Sequence, residues 1–327
     1  MAPSRELCET EDSLAPSIRT DATIGRVKRQ SVRVLFIADT HLGFDLPERP
    51  RVVRRRRGDD FFDNYDLALQ PAIRGEVDLV VHGGDVFFRS QVSPSLVVRA
   101  FEPLKRVADG GVPVVVVPGN HERSAIPYPL FAAHPGIHIF DRPRTVTLRV
   151  CDVDVALAGF PCERNGVRDG FTELVERTGW RDTAADIRVL CLHQTFEGAT
   201  VGPVGYVFRG DSDVIRGRDI PSGFGAVLAG HIHRHQVLTA DLARRTFAAP
   251  VFYPGSIERT SGAERNEAKG YLMLDLEPGP SDGGIVRSWA FHELPTTPIP
   301  DAVQTRFAKP ERRMPSRDRA RRGARVV

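Results

Sequence analysis

Val80-Val81-His82-Gly83-Gly84-Asp85 is the stretch on which the reading of this chain turns. The run Val77-Asp78-Leu79-Val80-Val81 is short, β-branched and bounded by turn signals, which reads as a buried strand. Gly83 and Gly84 let the backbone turn where a side chain would obstruct it, and the turn then presents a carboxylate, Asp85. Asp85 is therefore the candidate to sit between two cations.

Four other stretches repeat this layout. Val34-Leu35-Phe36-Ile37-Ala38 leads into Asp39-Thr40-His41, and Val114 to Val117 leads through Pro118-Gly119 into Asn120-His121-Glu122. Val189-Leu190-Cys191-Leu192 leads into His193-Gln194, and Ala226-Val227-Leu228-Ala229-Gly230 leads into His231-Ile232-His233. In open α/β sheets ligands gather outside the carboxyl ends of the strands, so five such ends would point into one crevice. Asp39, His41, Asp85, Asn120, His193, His231 and His233 would bring oxygen and nitrogen donors there together, the makings of a metal site.

Further out, Phe61, Phe62, Tyr65, Leu69 and Ile73 recur at roughly helical spacing from Asp59 onward. Ser93-Pro94 opens a second helix that Gly110-Gly111 stops near Asp109, with the proline where a missing N–H costs little. A third helix is expected near Val167 to Thr178. Residues 137 to 160 alternate, as in Val153-Asp154-Val155-Ala156-Leu157, and read as antiparallel strands of a second sheet. Pro250 to Ser256, Gly270 to Leu276 and Ile285 to Leu294 read as later strands, and a Gly, Asp and Arg-rich loop precedes Gly230. The arginine run containing Arg49, Arg51 and Arg54 to Arg57 reads either as a solvated loop or as a phosphate-holding one.

The composition, 41% hydrophobic and 27% charged, is that of a globular protein. There is no apolar stretch long enough to span a membrane and no apolar leader, so a cytoplasmic protein is expected. Cys8, Cys151, Cys162 and Cys191 lie far apart with no CxxC pair, as reduced thiols do. Net charge is +3, but residues 306 to 327 hold nine Lys or Arg against two acids, so the basic character is local. Three regions follow: a flexible extension over 1–30, a catalytic core over 31–294 and a Pro/Arg-rich basic tail over 295–327.

Asp39-Thr40-His41, Gly84-Asp85, Gly119-Asn120-His121-Glu122, His193 and Gly230-His231-Ile232-His233 resemble, in order and spacing, the calcineurin-like metallophosphoesterases. Within them the chain is similar to the SbcD-type nucleases of DNA double-strand-break repair, over about Val32 to Leu276. Arg57-Gly58-x-Asp60-x-Phe62, Leu192-His193-Gln194, Tyr253-Pro254-Gly255-Ser256 and Lys269-Gly270-Tyr271 extend the similarity. The resemblance implies a four-layer α/β/β/α sandwich. It implies that Asp39, His41, Asp85 and His233 hold one divalent ion and Asp85, Asn120, His193 and His231 the other, most often manganese. It assigns His121 the role of general acid or transition-state stabiliser.

Two cations about 3.5–4 Å apart address both obstacles to phosphodiester hydrolysis, the anionic oxygens and the poor leaving group. Carboxylate, amide and imidazole donors suit manganese, iron or zinc better than calcium. The expected function is hydrolysis of DNA phosphodiesters. Arg89 stands at the offset where related phosphatases place a phosphate-binding arginine, which keeps a phosphatase or small-substrate phosphodiesterase as the alternative. A non-catalytic scaffold would be marked by lost ligands, and none is missing. Phe88 departs from archaeal and eukaryotic members, which usually carry a histidine there. SbcD-type subunits generally continue into a capping domain and helices that bind an SbcC-type ATPase. Only residues 277 to 327 follow Leu276 here, which counts against that partnership. A homodimer is left open. Ser256 reads either as a site-lining hydroxyl or as one that bonds its own turn.

Overall fold

A computed structural model describes residues 31–46, 55–122, 133–279 and 283–299. The expected extension over 1–30, nearly all of the basic tail, and Arg49, Arg51 and Arg54 lie outside the described residues.

The first sheet contains β1 (Val32–Ile37), β2 (Leu79–His82), β3 (Val114–Val116) and β4 (Ile137–Ile139), all parallel. The chain returns to this sheet at its far end, where β15 (Gly270–Glu277) pairs antiparallel with β1, and β16 (Ile285–Glu293) pairs with β15 as the outer strand. The second sheet runs in the order β13 (Gln236–Ala240), β14 (Thr246–Tyr253), β12 (Ala226–Gly230), β7 (Ile187–His193), β6 (Val153–Gly159), β5 (Arg144–Val150). Between β7 and β12 lie four short strands, β8 (Thr195–Phe196), β9 (Thr200–Val201), β10 (Tyr206–Val207) and β11 (Val214–Ile215).

Three apolar layers glue the sandwich. Phe36, Val81 and Val115 of the first sheet meet Leu157, Val189 and Leu228 of the second. On the outer face of the first sheet pack α1 (Gly58–Ile73) and α2 (Pro94–Asp109), through Phe61, Tyr65, Ala100 and Leu104. On the outer face of the second packs α3 (Val167–Glu176), through Phe171 and Val175. The expected α/β/β/α sandwich is thus the observed architecture. Central parallel strands buried on both faces explain why the decisive stretches read as unbroken apolar runs.

Two expectations are corrected. Ile137–Ile139 is parallel to β3 and closes the first sheet, so only β5 and β6 form the antiparallel pair expected over 137 to 160. With three residues, β4 is too short to show a period of its own. The expected Gly, Asp and Arg-rich loop also contains ordered strands, β9 and β10 pairing as a hairpin and β11 running parallel to β8.

Candidate metal centre

β1, β2 and β3 of one sheet and β7 and β12 of the other end at a single place. The loops after β1 and β2 are bound to each other by backbone bonds, Asp39 N–H to Gly84 O and His41 N–H to Asp85 O, each 2.9 Å. Asp39, His41, Asp85 and His231 all hold positive φ, at 52°, 43°, 51° and 86°. Such backbone costs energy in a non-glycine residue and persists where surrounding structure over-determines it, commonly at functional sites. Two glycines permit the close approach. A Cβ on Gly84, itself at φ +104°, would lie 2.4 Å from His193 Nδ1, and one on Gly119 would lie 2.2 Å from Asp85 Oδ1.

All seven expected donors converge, in two groups that meet at Asp85. In one, His41 Nε2 and His233 Nε2 are 2.9 Å apart, with Asp39 Oδ1 3.8 Å from His233 Nε2 and Asp85 Oδ2 3.9 Å from His41 Nε2. In the other, Asn120 Oδ1 is 3.0 Å from His193 Nε2 and 2.8 Å from His231 Nδ1, and His193 Nε2 is 3.5 Å from Asp85 Oδ1. Asp85 therefore turns one oxygen to each group. Ligands bonded to one ion at about 2.1 Å stand about 3 Å apart at a right angle and about 4 Å apart when opposed, and these donors are 2.8 to 3.9 Å apart. The donor chemistry fits a pair of divalent first-row ions.

Outer partners fix the rings. His193 Nδ1 donates to the Gly83 carbonyl at 2.7 Å, which leaves Nε2 with a lone pair for the centre. His233 Nδ1 meets Glu264 Oε1 at 3.1 Å; Glu264 also accepts from Thr260 Oγ1 and from the buried Lys269 ammonium at 2.9 Å. His121 Nδ1 bonds the Phe88 carbonyl, its backbone N–H donates to Asp85 Oδ1 at 3.0 Å, and its Nε2 lies 3.8 Å from Asp85 Oδ2. The Arg164 guanidinium bonds the Asn120 carbonyl.

The electrostatics are those of charges crowded out of water. Burial pushes Asp39 up to about 6 and His231 down to about 3. Burial works against protonated His193, but the Asp85 carboxylate outweighs it and raises His193 to about 9. Asp85 itself is held well below the usual carboxylate range; burial opposes this, and His193 prevails. Opposed shifts concentrated in one crevice mark a functional site.

Glu122 closes the Gly119-Asn120-His121-Glu122 motif, and its role, which the sequence does not disclose, is to position two loops of the centre. Its buried carboxylate accepts the backbone N–H of Phe87 at 2.9 Å and of Gly119 at 2.7 Å, clamping the Asp85 loop to the Asn120 loop. Glu264 and Thr260, the supports of His233, lie in and beside a 3-10 turn (Gly262–Glu264) and carried no signal in the sequence.

Other expectations resolve locally. Arg55, Arg56 and Arg57 form ion pairs with Asp60, Asp45 and Glu258 at 2.5, 3.0 and 2.7 Å; Arg55 remains exposed to solvent, while Arg56 and Arg57 are largely covered and serve the structure. Arg89 is exposed on the rim, next to Phe88. Ser256 Oγ donates to the Glu258 carbonyl at 2.9 Å, the turn-bonding alternative. His82, without motif support, is buried between the loops against Thr40 at 3.1 Å. His235 is half-buried and stacks on Phe291 at 4.2 Å.

A family model described as calcineurin-like phosphoesterase matches residues 32–235. The DNA double-strand break repair protein Mre11 of Halobacterium salinarum is 32% identical over 248 residues, 75% of this chain and 56% of that protein. The protein of the same name from Saccharolobus solfataricus is 27% identical over 218 residues, 64% of this chain and 51% of that one. The chain spans about half the length of the curated relatives it matches. Among solved structures, a dimetal phosphatase from Danio rerio superimposes with a TM-score of 0.45 at 13% identity, over 79% of this chain and 99% of that one.

Proposed function

The chain belongs to the calcineurin-like phosphoesterases, and from that premise we propose that it hydrolyses phosphodiesters of DNA with two divalent ions, in the manner of an SbcD-type nuclease. The observation that carries the reading is Asp85, whose two oxygens face two separate donor groups with His121 beside them. Asp39, His41, Asp85 and His233 would hold one ion and Asp85, Asn120, His193 and His231 the other, manganese being the metal proposed. Such ions, when bound, supply Lewis acidity at the phosphoryl oxygens and lower the pKa of water.

The protein's own groups do the rest. The Phe88 carbonyl fixes His121 Nδ1 as a donor, so Nε2 is the atom directed at substrate. In its imidazolium form, with a second proton on Nε2, it gives that proton or a hydrogen bond to the departing oxygen. Exposed Arg89 is proposed as a contact to the substrate phosphate. DNA as substrate is supported by the relatives' name, double-strand break repair protein. Among the described residues no helix is long and apolar enough to cross a membrane. A cytoplasmic location, where the substrate is found, is part of the proposal.

The test is hydrolysis by metal-stripped protein reloaded with manganese, on linear DNA, a small aryl phosphodiester and a phosphomonoester, with Asp85→Asn and His121→Ala as controls. Degradation of DNA by the parent and its loss in both variants is expected. Turnover of only the monoester or small diester would transfer the same centre to the phosphatase reading.

A further inference from the structure

One side chain at the mouth of the centre has no part in holding ions or moving protons. Phe88 follows Asp85 by three positions, and 36% of its surface is exposed. The ring is nevertheless fixed. It meets Phe44 edge-on at 4.7 Å, and Phe44 in turn packs on Phe61 at 5.1 Å. Its backbone is pinned on both sides, the N–H donating to Leu42 O at 3.1 Å and the carbonyl bonding His121. The ring centre lies 6.0 Å from that of His121 and 6.3 Å from that of His41. A rigid aromatic surface thus stands in solvent within one nucleotide's reach of the histidine directed at the scissile phosphate.

We propose that Phe88 is a stacking platform for an unpaired nucleobase adjoining the scissile phosphate, so that the centre selects DNA strands whose bases have left the duplex. The inference rests on the DNA reading above and names its substrate more narrowly. An aromatic ring accepts any base, because every base has a π face, so the platform discriminates paired from unpaired without reading sequence. A base inside a duplex has both faces covered by neighbours and must first be unstacked, which costs least where the strand is frayed or already single. If Phe88 served only to shield His41 from water, its loss would slow all substrates alike.

The measurement compares kcat/KM of the manganese-loaded full chain on single-stranded oligothymidylate and on an abasic tetrahydrofuran strand of equal length, for the parent, Phe88→Ala and Phe88→Trp. The parent should favour the base-bearing strand by about tenfold. Phe88→Trp should keep that preference and Phe88→Ala bring it towards one. Because a ratio is read, any general loss of rate through a displaced His121 cancels, and the Trp variant controls for folding. A parent ratio near one, or an unchanged ratio in Phe88→Ala, would overturn the platform while leaving the nuclease reading intact. Parent protein that turns over a small aryl phosphodiester but neither strand would instead remove the DNA reading, and the platform with it.

Discussion

Gly119 has no room for a methyl group, since its Cβ would meet Asp85 at both Oδ1 and the backbone nitrogen. Gly119→Ala should therefore cost manganese affinity at least tenfold by calorimetry while the far-ultraviolet circular dichroism stays unchanged; retained affinity would show that the loops can part. Glu122 is the converse case, a side chain that must be present. Glu122→Ala strands two buried N–H groups, at about 1–3 kcal/mol each, and at a few degrees per kcal/mol the melting temperature should fall by about 5–15 °C. A fall below about 2 °C would mean that water satisfies both amides. The seven donors were legible because they follow five apolar runs, Asp39 with His41 and His231 with His233 sharing one each. The supports were less so, for physical reasons: Glu264 reaches His233 across 31 residues from a short turn, and no local pattern encodes such a meeting.

At the scale of elements, the entrance to α1 shows how a motif can be readable and its meaning not. Arg57-Gly58-x-Asp60-x-Phe62 was visible, but its use is architectural: Arg57 pairs with Glu258, and a Cβ on Gly58 would lie 2.6 Å from Leu46 Cα. Burial alone would raise the Asp60 pKa, but hydrogen bonds from Arg55 and Thr297 outweigh it and lower it. A carboxylate depressed in the folded state contributes stability above its unfolded pKa and loses it as pH falls through the folded one. Asp60→Asn should thus be less stable than the parent at neutral pH, and the gap in urea midpoint should close below about pH 4. A gap constant down to pH 2 would assign the effect to packing. The helices were legible from periodicity and caps; Ser93 accepts the Leu96 N–H as the N-cap. β4 was misassigned because its partner strand, which decides parallel from antiparallel, is a tertiary fact.

Over the whole molecule, the candidate donors come from both sheets, so ions bound between them would tie the sandwich together. At a hundred times its dissociation constant, a bound ion adds about 2.7 kcal/mol. Manganese should then raise the melting temperature of stripped protein by about 5–10 °C. A midpoint indifferent to manganese would argue against a centre shared by the sheets. The nine cations of residues 306 to 327 are proposed to add salt-dependent DNA affinity, so removing 301–327 should weaken binding most at low salt; unchanged affinity in a filter-binding titration would remove the tail from that role. The placement of β15 beside β1 also bears on how the protein is made. On the ribosome, β1 emerges more than two hundred residues before β15, leaving an apolar strand with one open edge for tens of seconds of elongation. Newly made chains should therefore be clients of holding chaperones until residue 277 clears the exit tunnel. An arrest-peptide force profile should show its main rise only after that point, and a rise before β15 is out would mean that the first sheet consolidates without its final partner.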